Sequence, residues 1–164
     1  MASPFYYMEV FTMFRKLMVG GKETDFKCSA ATSILYKRLF GKSLTKEMTE
    51  LASMSQSAFK LRNQWEKLNE EGGEENKQAI IDLLSSDTSL ADLADMTERL
   101  TPQMAYIMWL EANKPQRELF QNLTEDAYIM WLSGIDKDDL SALSGDFIEL
   151  WNSTNQTHSS LKNV

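Results

Sequence analysis

Three groups of residues carry side chains suited to chemistry, and none has the company or the spacing that chemistry needs. His158 is the only histidine and Cys28 the only cysteine. One of each cannot complete the four-ligand shell of a structural zinc site. As a general base His158 would need a held geometry. It stands instead in a run of Asn, Ser, Thr and Gln with no apolar anchor. Asp136, Asp138 and Asp139 are the best metal candidates. An EF-hand loop counted from Asp136 puts Leu140 at the fifth position, Ser141 at the sixth and Phe147 at the twelfth, so every later ligand fails. These acids are expected to start a helix, whose positive end they favour. Gly20-Gly21 lacks the following Lys-Ser/Thr and the strand–helix setting of a phosphate-cradling loop. The residues therefore predict no catalytic group, no metal ligand and no cofactor, and hence a protein that is not an enzyme.

What the sequence does offer is apolar contact. Ala105-Tyr106-Ile107-Met108-Trp109-Leu110 recurs letter for letter as Ala127-Tyr128-Ile129-Met130-Trp131-Leu132, each after a Leu-Thr pair. Thr101 and Thr124 are helix-capping residue types, Pro102 suits a first helical position, and Glu125 and Asp126 favour a helix start. Each copy is expected to be a short helix with bulky apolar residues on all sides. Such a helix is either buried in a bundle core or presents Tyr, Met and Trp to a partner, types enriched in interface cores and binding hot spots. Tyr106, Met108, Trp109, Tyr128, Met130 and Trp131 are the candidate protein-binding residues. Ten methionines in 164 residues suit either a loosely filled core or an adaptable apolar surface.

The elements that must position these residues are mostly helical. Gly20-Gly21 supplies positive φ between β-prone stretches, which predicts a hairpin over about 17–28. A helix follows from Thr32 to Phe40, capped by Thr32 or Ser33 and stopped by Gly41. Leu44 to about Asn69 is the longest helical stretch, with Leu44, Met48, Leu51, Ala58, Trp65 and Leu68 on one face. Glu66 to Glu75 is acidic and contains Gly72-Gly73, which predicts a solvated loop. Helical pattern resumes from Glu75 to Leu84, and Ser85–Ser89 caps a short helix through Leu90 to Met96. Asp146 to Trp151 is the last amphipathic element. The expected fold is mainly α: one compact helical domain over 1–151 with a short N-terminal β-hairpin, and a disordered polar tail over 152–164.

Composition excludes further classes. No apolar run approaches the roughly 20 residues that span a bilayer. Met1 to Phe11 lacks a basic leader region, so no signal peptide is read there. A lone cysteine cannot form an internal disulfide, which suits a reducing compartment. Residues 1–63 hold ten Lys/Arg against five Asp/Glu, while 64–164 hold seven against nineteen. Such asymmetry implies either that the halves face each other or that copies associate head to tail. The net charge of −7 argues against a nucleic-acid partner.

Two stretches carry a family resemblance. The hairpin leading into Ala30-Ala31-Thr32-Ser33-Ile34-Leu35-Tyr36-Lys37-Arg38-Leu39-Phe40-Gly41-Lys42 resembles the N-terminal motif of tail assembly chaperones from long-tailed, non-contractile phages. Phe147-Ile148-Glu149-Leu150-Trp151-Asn152 before a polar tail is similar to that family's C-terminal end, and the long middle helix also fits. Thr32, Leu35, Tyr36, Phe40, Gly41, Leu150 and Trp151 carry the match. The N-terminal extension to about Arg15 and the repeated hexapeptide depart from it. The resemblance implies a non-catalytic protein that coats the tape-measure protein in the host cytoplasm. It would be displaced by tail-tube subunits and would be absent from the finished particle. The alternative is a small acidic phage protein that inhibits or adapts a host or defence protein by direct binding. In the resembling family a fraction of ribosomes slips back one nucleotide near the gene's end. Leu161-Lys162-Asn163 is compatible with such a slip sequence and equally with a chance Lys-Asn. The codons at 162–163 distinguish the two.

Overall fold

The computed structural model describes residues 13–86 and 89–161, with side chains over 13–83 and 90–154. It is predominantly helical, with one antiparallel hairpin near its start, as expected. The readings made on Met1–Phe11 and on Lys162–Val164 lie outside the described residues, as do Asp87 and Thr88 of the expected cap.

Strand β1 (Met13–Val19) pairs with β2 (Lys22–Cys28) from Val19↔Lys22 to Met13↔Cys28. Gly20 and Gly21 both take positive φ, 57° and 78°. Two positive-φ residues make the turn whose twist matches that of the flanking strands, and only glycine adopts it without strain. The strands begin four residues earlier than expected. Met13, Arg15 and Lys16 each gain a cross-strand partner, and Arg15 also binds Asp146.

Helix α1 (Ala31–Phe40) ends at Gly41, which sits at φ 71° and returns its N–H to the Lys37 carbonyl at 2.8 Å. Its start differs from the expected one. The helix begins before Thr32, so neither Thr32 nor Ser33 is the cap. Ala30 stands at the N-cap position without a capping side chain. One residue earlier the Ser29 hydroxyl accepts from the Ala31 N–H at 3.1 Å, while Thr32 reaches back to accept the Ser29 N–H at 2.9 Å. Helices α2 (Leu44–Glu71) and α3 (Glu74–Ser86) follow, joined at Gly72-Gly73.

Helix α4 runs unbroken from Ser89 to Asn113 with Pro102 inside it. A short helix ending near Met96 and a second beginning after Thr101 were expected. The structure fuses them. Proline inside a helix costs about 3 kcal/mol. The side chains after it, Met104, Ala105, Tyr106, Ile107, Met108 and Leu110, are all at most 1% exposed. Burying several such side chains, at about 1.5–3 kcal/mol each, outweighs that cost. Pro115 then ends the run. Helix α5 (Gln116–Leu119), a 3₁₀ turn (Phe120–Asn122), α6 (Glu125–Ser133), α7 (Lys137–Ser141) and α8 (Ser144–Leu161) complete the chain. Thr124 caps α6 as expected, accepting the Ala127 N–H at 3.2 Å. Asp136 caps α7 through the Asp138 N–H at 2.8 Å. Helix α8 carries the buried Thr154.

The chain divides into two compact units. Unit 1 comprises residues 1–44 and 99–164, and unit 2 comprises 45–98. The core of unit 1 joins the inward face of the hairpin (Phe26, Cys28) to Leu35 and Tyr36 of α1, the C-terminal part of α4, Leu140 of α7, and Phe147, Leu150 and Trp151 of α8. Phe26 meets Phe147 edge-on at 4.9 Å. Arg15 of β1 reaches Asp146 and Glu149 of α8 at 3.3 and 3.1 Å. In unit 2 the buried side chains are few: Glu47, Met48, Leu51, Leu61 and Met96. Among the described residues no helix is long and apolar enough to cross a membrane.

Candidate protein-binding surface

The two copies of the repeated hexapeptide fold against each other. The chain breaks at Lys114-Pro115, passes through the 3₁₀ turn, and enters α6 at the Thr124 cap. Tyr106 lies 5.3 Å from both Tyr128 and Trp131, and Trp109 lies 5.8 Å from Trp131. Phe40 at the end of α1 extends the cluster, 5.2 Å from Tyr128 and 5.0 Å from Tyr36. Offset and tilted rings at these distances attract beyond their buried area. The Tyr106 hydroxyl donates to the Asn122 carbonyl at 2.6 Å, which ties the 3₁₀ turn to α4. Burial pushes the Tyr106 phenol up to about 12, and raises that of Tyr128 for the same reason.

Identical letters take different places. In the first copy Tyr106 and Met108 are buried, and only Trp109 reaches the surface, half-buried beneath the Lys114 ammonium at 5.6 Å. In the second copy Tyr128 and Trp131 are half-buried, while Met130 is 73% exposed and Ile129 52%. Of the six candidate residues, Tyr106 and Met108 thus present no surface to a partner in this conformation, because they form the core on which α6 rests. Trp109, Tyr128, Met130 and Trp131 do present surface. Ile129 belongs with them and was not singled out from sequence. A hexapeptide apolar on all sides gives no sign of which side faces water.

Trp109 and Trp131 also share a cleft of about 480 Å³ with Val19, Gly20 and Lys22 of the hairpin and Asp139 of α7. A methyl group placed on Gly20 would stand 3.2 Å from the Asp139 carboxylate, so the turn approaches α7 closely. The two tryptophan edges, one cationic arm and the carboxylate can hold an apolar or amphipathic side chain. No nucleophile–base pair is present there.

One polar cluster escaped sequence reasoning. Glu111 of α4 is half-buried and accepts from the Ser29 and Thr32 hydroxyls, both at 2.5 Å. Burial raises its carboxyl pKa, opposed by those hydroxyls and by Lys27. Burial likewise raises the Cys28 thiol, which Thr154 and Thr32 solvate. These contacts fasten the end of β2 and the start of α1 to α4, a structural task. Among the described residues no three His, Cys, Asp or Glu lie close enough to hold a metal. The residues of the family resemblance are interior: Thr32, Leu35, Tyr36, Leu150 and Trp151 are buried, Phe40 is half-buried and Gly41 is the α1 stop. The Tyr36 hydroxyl donates to Gln103 at 2.8 Å. No protein-family model, no curated protein and no solved structure matches the chain.

Proposed function

We propose that the chain is a non-catalytic tail assembly chaperone of a long-tailed, non-contractile phage. In this reading it binds the tape-measure protein in the host cytoplasm and keeps it soluble. It self-associates along that client, gives way to tail-tube subunits and is absent from the finished virion. The observation that carries a binding role is the exposure of Ile129 and Met130 on a helix whose aromatic residues, Tyr128 and Trp131, are anchored on α4. Exposed apolar side chains on a firmly supported helix suit a client that is itself an apolar-striped helix. Methionine adapts to a changing series of partners. The assignment to phage tails rests on the resemblance of the Ala30–Lys42 and Phe147–Asn152 segments.

Co-expression of the client with this chain tests the reading. The wild-type chain should keep a tape-measure protein in the soluble fraction. Ile129→Asp with Met130→Asp should fold and lose that effect. Solubility unchanged by the double substitution removes α6 as the binding surface. A client that precipitates equally with and without the wild-type chain removes the chaperone reading. A tight complex of fixed stoichiometry with one globular host protein favours an inhibitor instead.

A further inference from the structure

Unit 2 contains an apolar seam that its own helices do not close. Leu61 is the last buried residue of α2, and from Arg62 to Leu83 no described side chain is buried. Leu68, Ala79, Ile80 and Leu83 are only half-buried, and Trp65 and Ile81 are exposed. Gln64, Lys67, Leu68 and Glu71 of α2 face Ala79 and Leu83 of α3 across an open groove of about 410 Å³. The spacings 64, 68, 71 and 79, 83 each make one stripe along a helix. Two helices cannot enclose both stripes, and helical bundles do so by adding another helix.

Charge indicates which helix. Unit 2 has five Lys/Arg and twelve Asp/Glu, while unit 1 has twelve of each, so unit 2 carries the whole net charge of −7. Around the groove, Arg62 is paired with Glu66 at 3.0 Å and Lys77 with Glu74 at 2.8 Å. Lys67 and Glu71 balance each other in the groove wall, and the acidic excess lies beside it, where Glu70, Glu74 and Glu75 flank the Gly72-Gly73 connection. A second copy meeting this one through the same groove would set like charge against like charge. Residues 1–12 contain Glu9 and no Lys or Arg, so they bring no complementary charge either.

We propose that the groove between α2 and α3 binds a basic amphipathic helix of a partner protein. Its apolar stripe covers Leu68, Ala79 and Leu83, and its flanking Lys and Arg meet the acidic rim. The proposal does not depend on the partner being a tape-measure protein, and it concerns a different unit from α6.

The test uses the full chain and two synthetic amphipathic peptides of about five helical turns. The peptides share one leucine stripe, with lysine on the polar face of one and glutamate on the other. The lysine peptide should bind, with amide shifts gathered over 64–83 in a nitrogen–proton correlation spectrum. Its affinity should fall about tenfold or more between about 0.05 and about 0.5 M salt. Leu68→Ser with Leu83→Ser should weaken binding by about tenfold or more without changing the charge. Circular dichroism checks that this variant folds; if it does not, the wild-type shift map decides. Equal binding of both peptides overturns the proposal, as do shifts gathered around Met130 and Trp131. Two further results overturn it by naming another occupant. One is a dimer that dissociates on Leu68→Ser; the other is a gain in peptide affinity on deleting residues 1–12. The co-expression test on α6 stands or falls separately.

Discussion

Trp109 and Trp131 hold the same place in two identical hexapeptides, and their rings meet with centroids 5.8 Å apart. The pairing makes one copy the support of the other. It also separates residues that the sequence cannot tell apart, since Met108 is 0% exposed and Met130 73%. Met108→Ala removes a fully buried side chain and should cost about 2–5 kcal/mol. Met130→Ala should change stability by no more than about 0.5 kcal/mol. Equilibrium urea unfolding of the two variants reads this directly, and equal losses would contradict the arrangement.

Tyr106 gives the fold a dependence on alkaline pH. Its phenol rises from 10.0 to about 12 on burial, so folding favours the neutral form. The contribution is whole below pH 10 and declines as pH rises from 10 through about 12. Tyr106→Phe should cost about 1 kcal/mol at neutral pH, through the lost bond to the Asn122 carbonyl. It should also flatten part of the decline above pH 10. Thermal unfolding across that range measures both effects, and an unchanged profile would place the phenol in water.

Glu111 works in the opposite sense to a surface carboxylate. Its carboxyl pKa is raised above 4.5, burial being the largest cause, so the folded state holds its proton more tightly than the unfolded chain. The contribution to stability is greatest below pH 4.5 and is lost as pH rises through the raised value. Glu111→Gln keeps an acceptor for Ser29 and Thr32 and should remove this slope. Glu111→Ala leaves both hydroxyls without their acceptor and should cost about 1–3 kcal/mol at low pH, and less as pH rises through the raised value. A Glu111→Gln variant with the wild-type pH profile would count against the assignment.

Self-association has a salt signature. Head-to-tail contact between unlike patches should weaken as salt rises to about 0.5 M, where the Debye length is only a few ångströms. Contact between two copies of unit 2 should strengthen instead, because salt screens their like charge. Light scattering over a salt series distinguishes the two. A monomer at about millimolar protein throughout would remove self-association from the proposed function.

The sequence alone determined the local elements. Gly20-Gly21 dictated a hairpin turn, Gly41 a helix stop, and Thr124 and Asp136 helix starts, because each depends on backbone sterics or on a hydrogen bond within three residues. It also determined the mainly helical class, through apolar spacing in the long helices. Thr101-Pro102 has the same local chemistry as a helix start and yet lies inside α4. There the burial of Met104 to Leu110 overrides a local preference worth less than their combined packing. Tertiary structure alone decided that Tyr106 and Met108 form core while Ile129 and Met130 face water, since identical letters carry no record of which neighbours will cover them. It likewise placed Glu111 beside Ser29 and Thr32, about 80 positions away in the chain. No local pattern encodes a contact whose partners meet only after the helices have packed.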